Sequence, residues 1–259
     1  MTWTTRLRSE AGSLAFITAG KGPRLLMIHG VGLRAEAWNA QIAALSDRFE
    51  ILAPDLPGHG GSAALSGAPD LKDYSDRIAR LLDRPSIVVG HSMGAMIALD
   101  LASRYQDQVR GVGALNAIFR RSLAARTAVR KRATELDGIA TVDPSAALDR
   151  WFGIEPGPER QACHDWLSSV DPAGYRTAYS VFAKEDGPDE ADLMAISCPA
   201  LFMTGGLEPN STPAMSRAMT DLAPHGVVNV VEDAAHMMPM THPAAVNRAL
   251  LDFAEGCQP

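Results

Sequence analysis

The stretch that most constrains the fold of this chain is RPSIVVGHSMGAMIALDLASRY, residues 84–105. An apolar run rich in β-branched residues, typical of a buried strand, reaches Gly90, and a helical pattern begins at once after Ser92. A residue on so sharp a strand-to-helix turn adopts strained backbone angles, and bulky residues at the positions of Gly90 and Gly94 would clash there. The pattern predicts a turn that presents the Ser92 hydroxyl as a nucleophile. The alternative is a tight turn in which Ser92 only caps the helix.

Apolar runs that are typical of strands alternate with helical patterns along most of the chain. Strands that alternate with helices usually pair in parallel, with helices covering both faces of the sheet. We therefore predict an α/β fold with a mostly parallel sheet. The predicted strands are two short ones within 4–20, then 24–30, one beginning at Glu50, 86–90, 109–117, 199–206 and 226–234, and the predicted helices are 36–49, 70–83, 213–222 and 244–253.

Composition excludes several classes of protein. The chain has 259 residues, 46% of them hydrophobic and 21% charged, as in an ordinary globular domain. Its net charge of −6 argues against nucleic acid as a partner. The three cysteines are far apart and odd in number, so they predict neither a disulfide framework nor a metal site. Without an apolar signal core or a membrane-length apolar run, the expected location is the cytoplasm, with no membrane partner.

One region departs from the alternation of strands and helices. Residues 118–196 contain no convincing strand and are rich in Ala, Arg, Asp and aromatic residues. We predict a helical cap there, inserted into a core domain formed by 1–117 and 197–259. Inserts at the carboxyl edge of an open α/β sheet commonly cover the ligand site. The alternative is a small helical domain with no role in the chemistry.

A serine hydroxyl needs a base to accept its proton. His236 follows the last predicted strand, in VVNVVEDAAHMMPMTHP, and is the candidate base. His242 lies nearby but precedes Pro243 at the start of the final helix, which is typical of a surface position. Ordinary structural or surface positions are expected for the remaining histidines, His29, His59, His91, His164 and His225.

The base in turn needs a carboxylate to orient its ring. In this class of fold the acid usually follows the strand before the histidine, which here is PALFMTGG followed by LEPNSTP. Glu208 is the carboxylate in that segment and is the candidate acid, although a solvated loop glutamate is the alternative. The competing positions are Asp221, Glu232, Asp233 and the amide Asn116.

An oxyanion formed at the nucleophile needs donors that are already in place. We predict the backbone N–H groups of Met93, directly after Ser92, and of Val31, in the Gly-rich loop after the strand 24–30. Both roles use the backbone, so the side chains do not matter. The candidates for substrate contacts are Gly30, Gly32, Trp38 and Met237.

Taken in order, HGVG, DLPGHGGS, GHSMGA, TGGLEPNSTP and AAHMMPMTHP resemble the motifs of the α/β-hydrolase superfamily, in its group of small capped enzymes. The resemblance covers nearly the whole chain except the cap region. It implies an eight-stranded, mostly parallel sheet and a Ser–acid–His triad that uses no cofactor and no metal. It also implies that Asp55 braces a loop. The chain departs from the family at Glu208, where aspartate is the common residue.

The function implied is hydrolysis of a carboxylic ester or lactone of a small molecule, through an acyl-enzyme on Ser92. One alternative is a hydrolase of C–C bonds in ring-cleavage products, and another is a lyase or ligand receptor on the same scaffold.

The start of the predicted cap, FRRSLAARTAVRKRATE, contains six basic residues before its first acid, Glu135. One or two of them could reach a carboxylate on the substrate. The alternative is a solvated helix face, which such charge runs commonly form. The basic residues are Arg120, Arg121, Arg126, Arg130, Lys131 and Arg132.

Overall fold

The computed structural model describes Trp3 and residues 5–257, which form one eight-stranded sheet with helices on both faces. The strand order is β1-β2-β4-β3-β5-β6-β7-β8; β2 runs antiparallel to β1 and β4, and the other pairs are parallel. The mostly parallel α/β sheet predicted from the sequence is confirmed. Its strands are β1 (Ser9–Ala11), β2 (Leu14–Ala19), β3 (Arg24–Ile28), β4 (Glu50–Pro54), β5 (Ser86–His91), β6 (Val109–Leu115), β7 (Ala200–Gly205) and β8 (Gly226–Val231).

Central strands are buried on both faces, which explains why they are continuous apolar runs instead of alternating ones. All six residues of β5 are buried. Along it, Val88 packs into the core on one face of the sheet, whereas Ile87 and Val89 pack into the core on the other. The strand that precedes Ser92 is thereby held rigidly by both cores.

The helices that cover the sheet largely follow the predicted pattern. The predicted helix over 36–49 is shorter in the structure: a 3₁₀ turn (Ala35–Trp38) leads into α1 (Asn39–Leu45), and Phe49 instead packs into the core from the following loop. The remaining helices of the sheet layers are α2 (Leu71–Ala79), α3 (Met93–Arg104), α9 (Pro213–Leu222), α10 (Met238–Thr241) and α11 (Pro243–Gly256).

Five helices lie between β6 and β7, and no described residue of 118–196 belongs to a strand. They contact the loops that follow β3 and β4. A Cβ on Gly32 would overlap Leu167 and crowd Tyr175, and a Cβ on Gly58 would lie 2.8 Å from the Cα of Gly174. The helices are α4 (Leu123–Glu135), α5 (Ser145–Phe152), α6 (Pro158–Ser169), α7 (Pro172–Lys184) and α8 (Glu190–Ala195).

Two kinds of feature are absent from the described part of the chain. No helix in it has the length and apolar character needed to cross a membrane. Within the same residues, His, Cys, Asp and Glu side chains nowhere gather in threes in a way that could hold a metal ion. Cys163, Cys198 and Cys257 are buried and unpaired.

Candidate active site

Ser92 lies between β5 and α3 in a left-handed backbone conformation with φ 57° and ψ −120°. A Cβ on Gly90 would overlap the carbonyl of Gly94, and a Cβ on Gly94 would overlap the carbonyl of Ile28. Both positions therefore require glycine for steric reasons. The Ser92 N–H donates to the carbonyl of Leu115 at 2.9 Å, which ties the strained turn to β6.

His236 and Glu208 come from separate loops and meet at the carboxyl edge of the sheet. The Nδ1 of His236 lies 2.9 Å from Glu208 Oε2. Glu208 Oε1 accepts from the N–H groups of Asn210 at 2.7 Å and Ser211 at 3.3 Å, and the Glu208 side chain is fully buried. The acid is thus held on one oxygen by its own loop and on the other by the imidazole.

The environment of Glu208 favours its charged form. Burial acts to raise the pKa of this carboxyl, but the hydrogen bond and charge of His236, together with the two backbone N–H donors, lower the pKa to about 2. Glu208 is therefore a carboxylate at neutral pH. Because this carboxylate accepts a hydrogen bond from His236 Nδ1, the Nδ1 atom carries the proton. The Nε2 atom of His236 is then the nitrogen that can accept a proton.

Ser92 and His236 line the same cavity, whose volume is about 490 Å³. Among the hydrogen bonds of the described residues, none joins the Ser92 hydroxyl directly to His236. In enzymes without bound substrate such contacts are often long and tighten only in the complex. The structure thus brings the predicted base and acid into contact and puts the predicted nucleophile in the same cavity wall.

Two aromatic rings, those of Trp151 and His91, contact the His236 ring. Trp151 of α5 stacks on it, with ring centroids 5.6 Å apart and planes inclined by 23°. His91, beside Ser92, places Nε2 2.8 Å from the His236 carbonyl oxygen. Burial and the nearby His236 lower the pKa of His91 to about 3, so His91 is neutral and can donate to that carbonyl.

The loop after β3 approaches Ser92 closely. A Cβ on Gly30 would lie 3.0 Å from Ser92 Cβ, and Gly30 and Val31 both line the cavity. The Met93 N–H is the first of α3, and the first N–H groups of a helix have no partner inside the helix. Both predicted oxyanion donors thus lie in segments that border Ser92.

Buried side chains hold that loop in place. The Gly32 N–H donates to His59 Nε2 at 2.9 Å, and burial lowers the pKa of His59 to about 3, so the ring can accept this bond. Asp55 accepts from the N–H groups of Ala35 and Gly61, at 2.8 and 2.9 Å, and pairs with Arg8. Asp55 braces the loops, as its motif implies, and does not line the cavity.

Three candidates for substrate contacts lie away from the cavity wall. Trp38 is 1% exposed and belongs to the core between the sheet and its helices, because the 3₁₀ turn points it inward. Met237 is also 1% exposed and packs with residues of α6. Gly32 faces Leu167 and Tyr175. Of the four candidates only Gly30 lines the cavity.

Sequence reasoning missed the contact of Trp151 with His236 and the hydrogen bond by which His59 holds the Gly32 loop. Trp151 was noticeable only as one aromatic residue in an aromatic-rich segment, and nothing local shows that it stacks on a base 85 residues later. His59 had a usable signal, since it stands between glycines in a loop of the recognised DLPGHGGS motif.

Comparison with known proteins places the chain in a family. A family model described as Alpha/beta hydrolase family matches residues 25–249. The chain is 38% identical over 248 residues to the (E)-2-((N-methylformamido)methylene)succinate hydrolase of Acinetobacter baylyi, covering 93% of each protein. It is 26% identical over 255 residues to 3-oxoadipate enol-lactonase 2 of the same organism, covering 94% of each.

A solved structure agrees with these relatives. The malate-bound thermophilic esterase from Thermogutta terrifontis superposes with a TM-score of 0.85 at 26% identity, covering 99% of this chain and 100% of the esterase. The family model and the 38%-identical relative both extend over most of the sequence. With these matches and the eight-stranded fold, the chain belongs to the alpha/beta hydrolase family.

Proposed function

We propose that this protein is a serine hydrolase that cleaves a carboxylic ester or lactone of a small molecule through an acyl-enzyme on Ser92. The observation that carries the proposal is the 2.9 Å contact with buried, ionised Glu208 of His236, which lines the same cavity as Ser92. A serine hydroxyl, a base that faces it across one cavity and a buried carboxylate that orients the base are the groups that acyl transfer requires.

The order of the proposed proton transfers follows from the nitrogen of His236 that Glu208 occupies. Glu208 binds His236 at Nδ1, so Nε2 takes the proton of Ser92 as the serine oxygen attacks the substrate carbonyl. The N–H groups of Val31 and Met93 stabilise the oxyanion, and His236 returns the proton to the leaving oxygen. The same base then activates water, which releases the acid and frees Ser92.

In this proposal the segment 118–196 acts as a cap on the cavity. The support is that α4, α5 and α7 supply much of the cavity wall and that Trp151 of α5 stacks directly on His236. Closing helices over the site excludes water and fixes the substrate for attack.

A second candidate reaction is favoured by one comparison. The 38%-identical relative is named for a succinate that carries an N-methylformamido group, which is an amide. Attack of Ser92 on an amide carbonyl would use the same base, acid and oxyanion donors, with nitrogen as the leaving atom. Hydrolysis assays that pair a lactone and an ester with an N-acyl aminomethylene succinate would show which carbonyl the protein prefers.

Labelling with a fluorophosphonate tests the proposed nucleophile without any assumption about substrate. The expected result is a single adduct on Ser92, located by mass spectrometry, which disappears in Ser92→Ala and in His236→Ala. Exposed His225→Gln is the matched control and should label like the wild type. An adduct on another residue, or labelling that persists in His236→Ala, would contradict the proposed roles.

A further inference from the structure

The walls of the cavity carry an uneven charge. Three arginines line it, Arg121 and Arg132 from the segment around α4 and Arg150 from α5, and no described Asp or Glu does. This is the reverse of the chain as a whole, whose net charge is −6. An excess of guanidinium groups around an otherwise apolar cavity favours an anionic ligand.

Most basic residues at the start of the segment 118–196 already have partners. Arg120 pairs with Glu190, and Arg126 with Asp186 at 3.0 Å. Arg121 is buried, stacks on the Phe182 ring at 4.4 Å and donates to the backbone carbonyls of Phe182 and Glu185. Of these three, only Arg121 departs from the expectation of a solvated face, because the Arg120 and Arg126 side chains remain 60% and 39% exposed.

Arg132 and Arg150 differ from them. Neither forms an ion pair or hydrogen bond with a described carboxylate, and both face the cavity. The Arg132 guanidinium lies 5.8 Å from the centre of the Tyr179 ring. Tyr179 and Arg150 line the same cavity, and burial raises the pKa of the Tyr179 hydroxyl, so this hydroxyl is neutral and can donate a hydrogen bond. We call these two arginines and Tyr179, which line one cavity, the arginine subsite.

The arginine subsite is tied to the reacting groups through α5. Arg150 is the neighbour in sequence of Trp151, which stacks on His236 at 5.6 Å. One helix thus carries both the ring that stacks on the base and an arginine that lines the cavity. A substrate whose carbonyl lies at Ser92 can therefore extend its other end toward this subsite inside one cavity of about 490 Å³.

We propose that Arg132 and Arg150, with the Tyr179 hydroxyl, bind a carboxylate of the substrate, so that the protein hydrolyses small acyl compounds that carry a negative charge away from the scissile bond. This inference rests on the proposed function for the site of cleavage but not for the binding of the anion. Paired guanidiniums match a carboxylate in geometry as well as charge.

Hydrolysis of two matched esters tests the subsite. Mono-4-nitrophenyl adipate and its methyl ester have the same acyl length and differ by one negative charge. The wild type should prefer the charged ester, and Arg132→Gln or Arg150→Gln should each lower its kcat/KM about 10- to 100-fold, the range for a hydrogen bond to a charged group. The neutral methyl ester should change by less than about threefold. Arg130→Gln, exposed on the same helix and outside the cavity, is the control.

A binding measurement separates this inference from the proposed reaction. Calorimetry with Ser92→Ala should detect succinate, glutarate or adipate, and the affinity should disappear in Ser92→Ala/Arg132→Gln/Arg150→Gln. If the diacids bind but no ester is cleaved, the reaction is wrong and the subsite stands. If esters are cleaved without charge preference and no diacid binds, the subsite is wrong and the reaction stands.

A separate observation concerns Asn116, which follows β6 at the cavity wall. The residue is 1% exposed and left-handed, with φ 53°, and its N–H donates to the Met203 carbonyl at 2.8 Å. Neither Oδ1 nor Nδ2 of its side chain has a hydrogen-bond partner among the described residues. An unsatisfied buried amide costs about 1–3 kcal/mol, and this one lines the cavity, where a bound ligand can supply its missing partner.

We infer that the Asn116 amide hydrogen bonds to an oxygen of the ester or lactone group bound at Ser92, again resting on the proposed reaction. Its backbone is adjacent, because the preceding Leu115 carbonyl accepts from the Ser92 N–H. Asn116→Gly removes the amide and suits the left-handed backbone. The expected result is a 3- to 10-fold loss of kcat/KM on 4-nitrophenyl acetate, which is about the effect of losing one neutral hydrogen bond. The melting temperature should equal or exceed that of the wild type.

The two readouts of Asn116→Gly distinguish its possible roles. A lower melting temperature with unchanged kcat/KM would show that the amide stabilises the fold, and would overturn the inference. Asn116→Ala should show the same kinetic loss with lower stability, because alanine is strained at this φ.

Discussion

Two regions meet at the cavity and differ in how their polar groups are partnered. At the edge of the sheet, Glu208 binds His236 and two backbone N–H groups, and Asp55 and His59 hold the loop beside Ser92. On the helices opposite, Arg132 and Arg150 face the cavity without a described carboxylate partner. The side chains at the sheet edge, which must keep one geometry, have their hydrogen-bond partners inside the protein. The two arginines, which we propose select the ligand, are left to find their partner in the ligand.

This comparison predicts its largest effect at Ser92. Ser92→Ala should lower turnover of an ester substrate by roughly 10⁴- to 10⁶-fold, because the acyl-enzyme can no longer form. Steady-state kinetics measures the loss, with the concentration of folded protein checked by circular dichroism. Ser103→Ala, on the same helix and away from the cavity, should remain within about twofold of the wild type. A residual rate above about one per cent in Ser92→Ala would point to another nucleophile.

The next effect is expected at Glu208. Glu208→Gln keeps the shape but removes the charge that orients the His236 ring, and turnover should fall on the order of 10⁴-fold. Asp233→Asn, an exposed acid close to His236 in sequence, should leave turnover nearly unchanged. A loss under about tenfold for Glu208→Gln would move the acid elsewhere.

A smaller effect should appear in stability, through the histidines of the sheet edge. Burial lowers the pKa of His59 to about 3, below the value near 6.5 of the unfolded chain. The unfolded state therefore binds more protons below pH 6.5, so the stabilisation present above that pH is lost as the pH falls toward 3.

His59→Gln isolates this contribution, since the Gln oxygen can still accept from the Gly32 N–H. Between pH 7 and pH 4.5 the wild type should lose about 2 kcal/mol more unfolding free energy than His59→Gln in urea titrations. Exposed His225→Gln should follow the wild type. Equal losses in wild type and His59→Gln would show that this ring does not contribute.

The smallest effect concerns the contact between the two regions. Trp151→Ala removes the ring that stacks on His236, and aromatic stacking contributes about 0.5–1.5 kcal/mol, so kcat should fall roughly 2- to 10-fold. Trp151→Phe retains a ring and should recover most of the rate. A loss as large as that of Glu208→Gln would mean that the helices take part in the chemistry and would remove the distinction between the regions.

Much of the sheet region was predictable because its signals are local. Gly90 and Gly94 are required by backbone overlaps within the turn itself, and His236 and Glu208 were inferred from their order after particular strands. Trp38 and Met237 show the limit of such reasoning. Both stand next to site segments in sequence, yet the direction of the 3₁₀ turn and of α10 buries their side chains in the cores.

The sequence by itself determined the order of strands and helices, the strained serine turn and the spacing of base and acid, because these depend on periodicity and on sterics between near neighbours. Only the tertiary structure decided which arginines face the cavity and that Trp151 lies over His236. Arg126 and Arg132 stand on the same helix six residues apart, yet one pairs with Asp186 and the other lines the cavity. The packing of five helices against distant loops sets that difference, and no local pattern in the sequence encodes it.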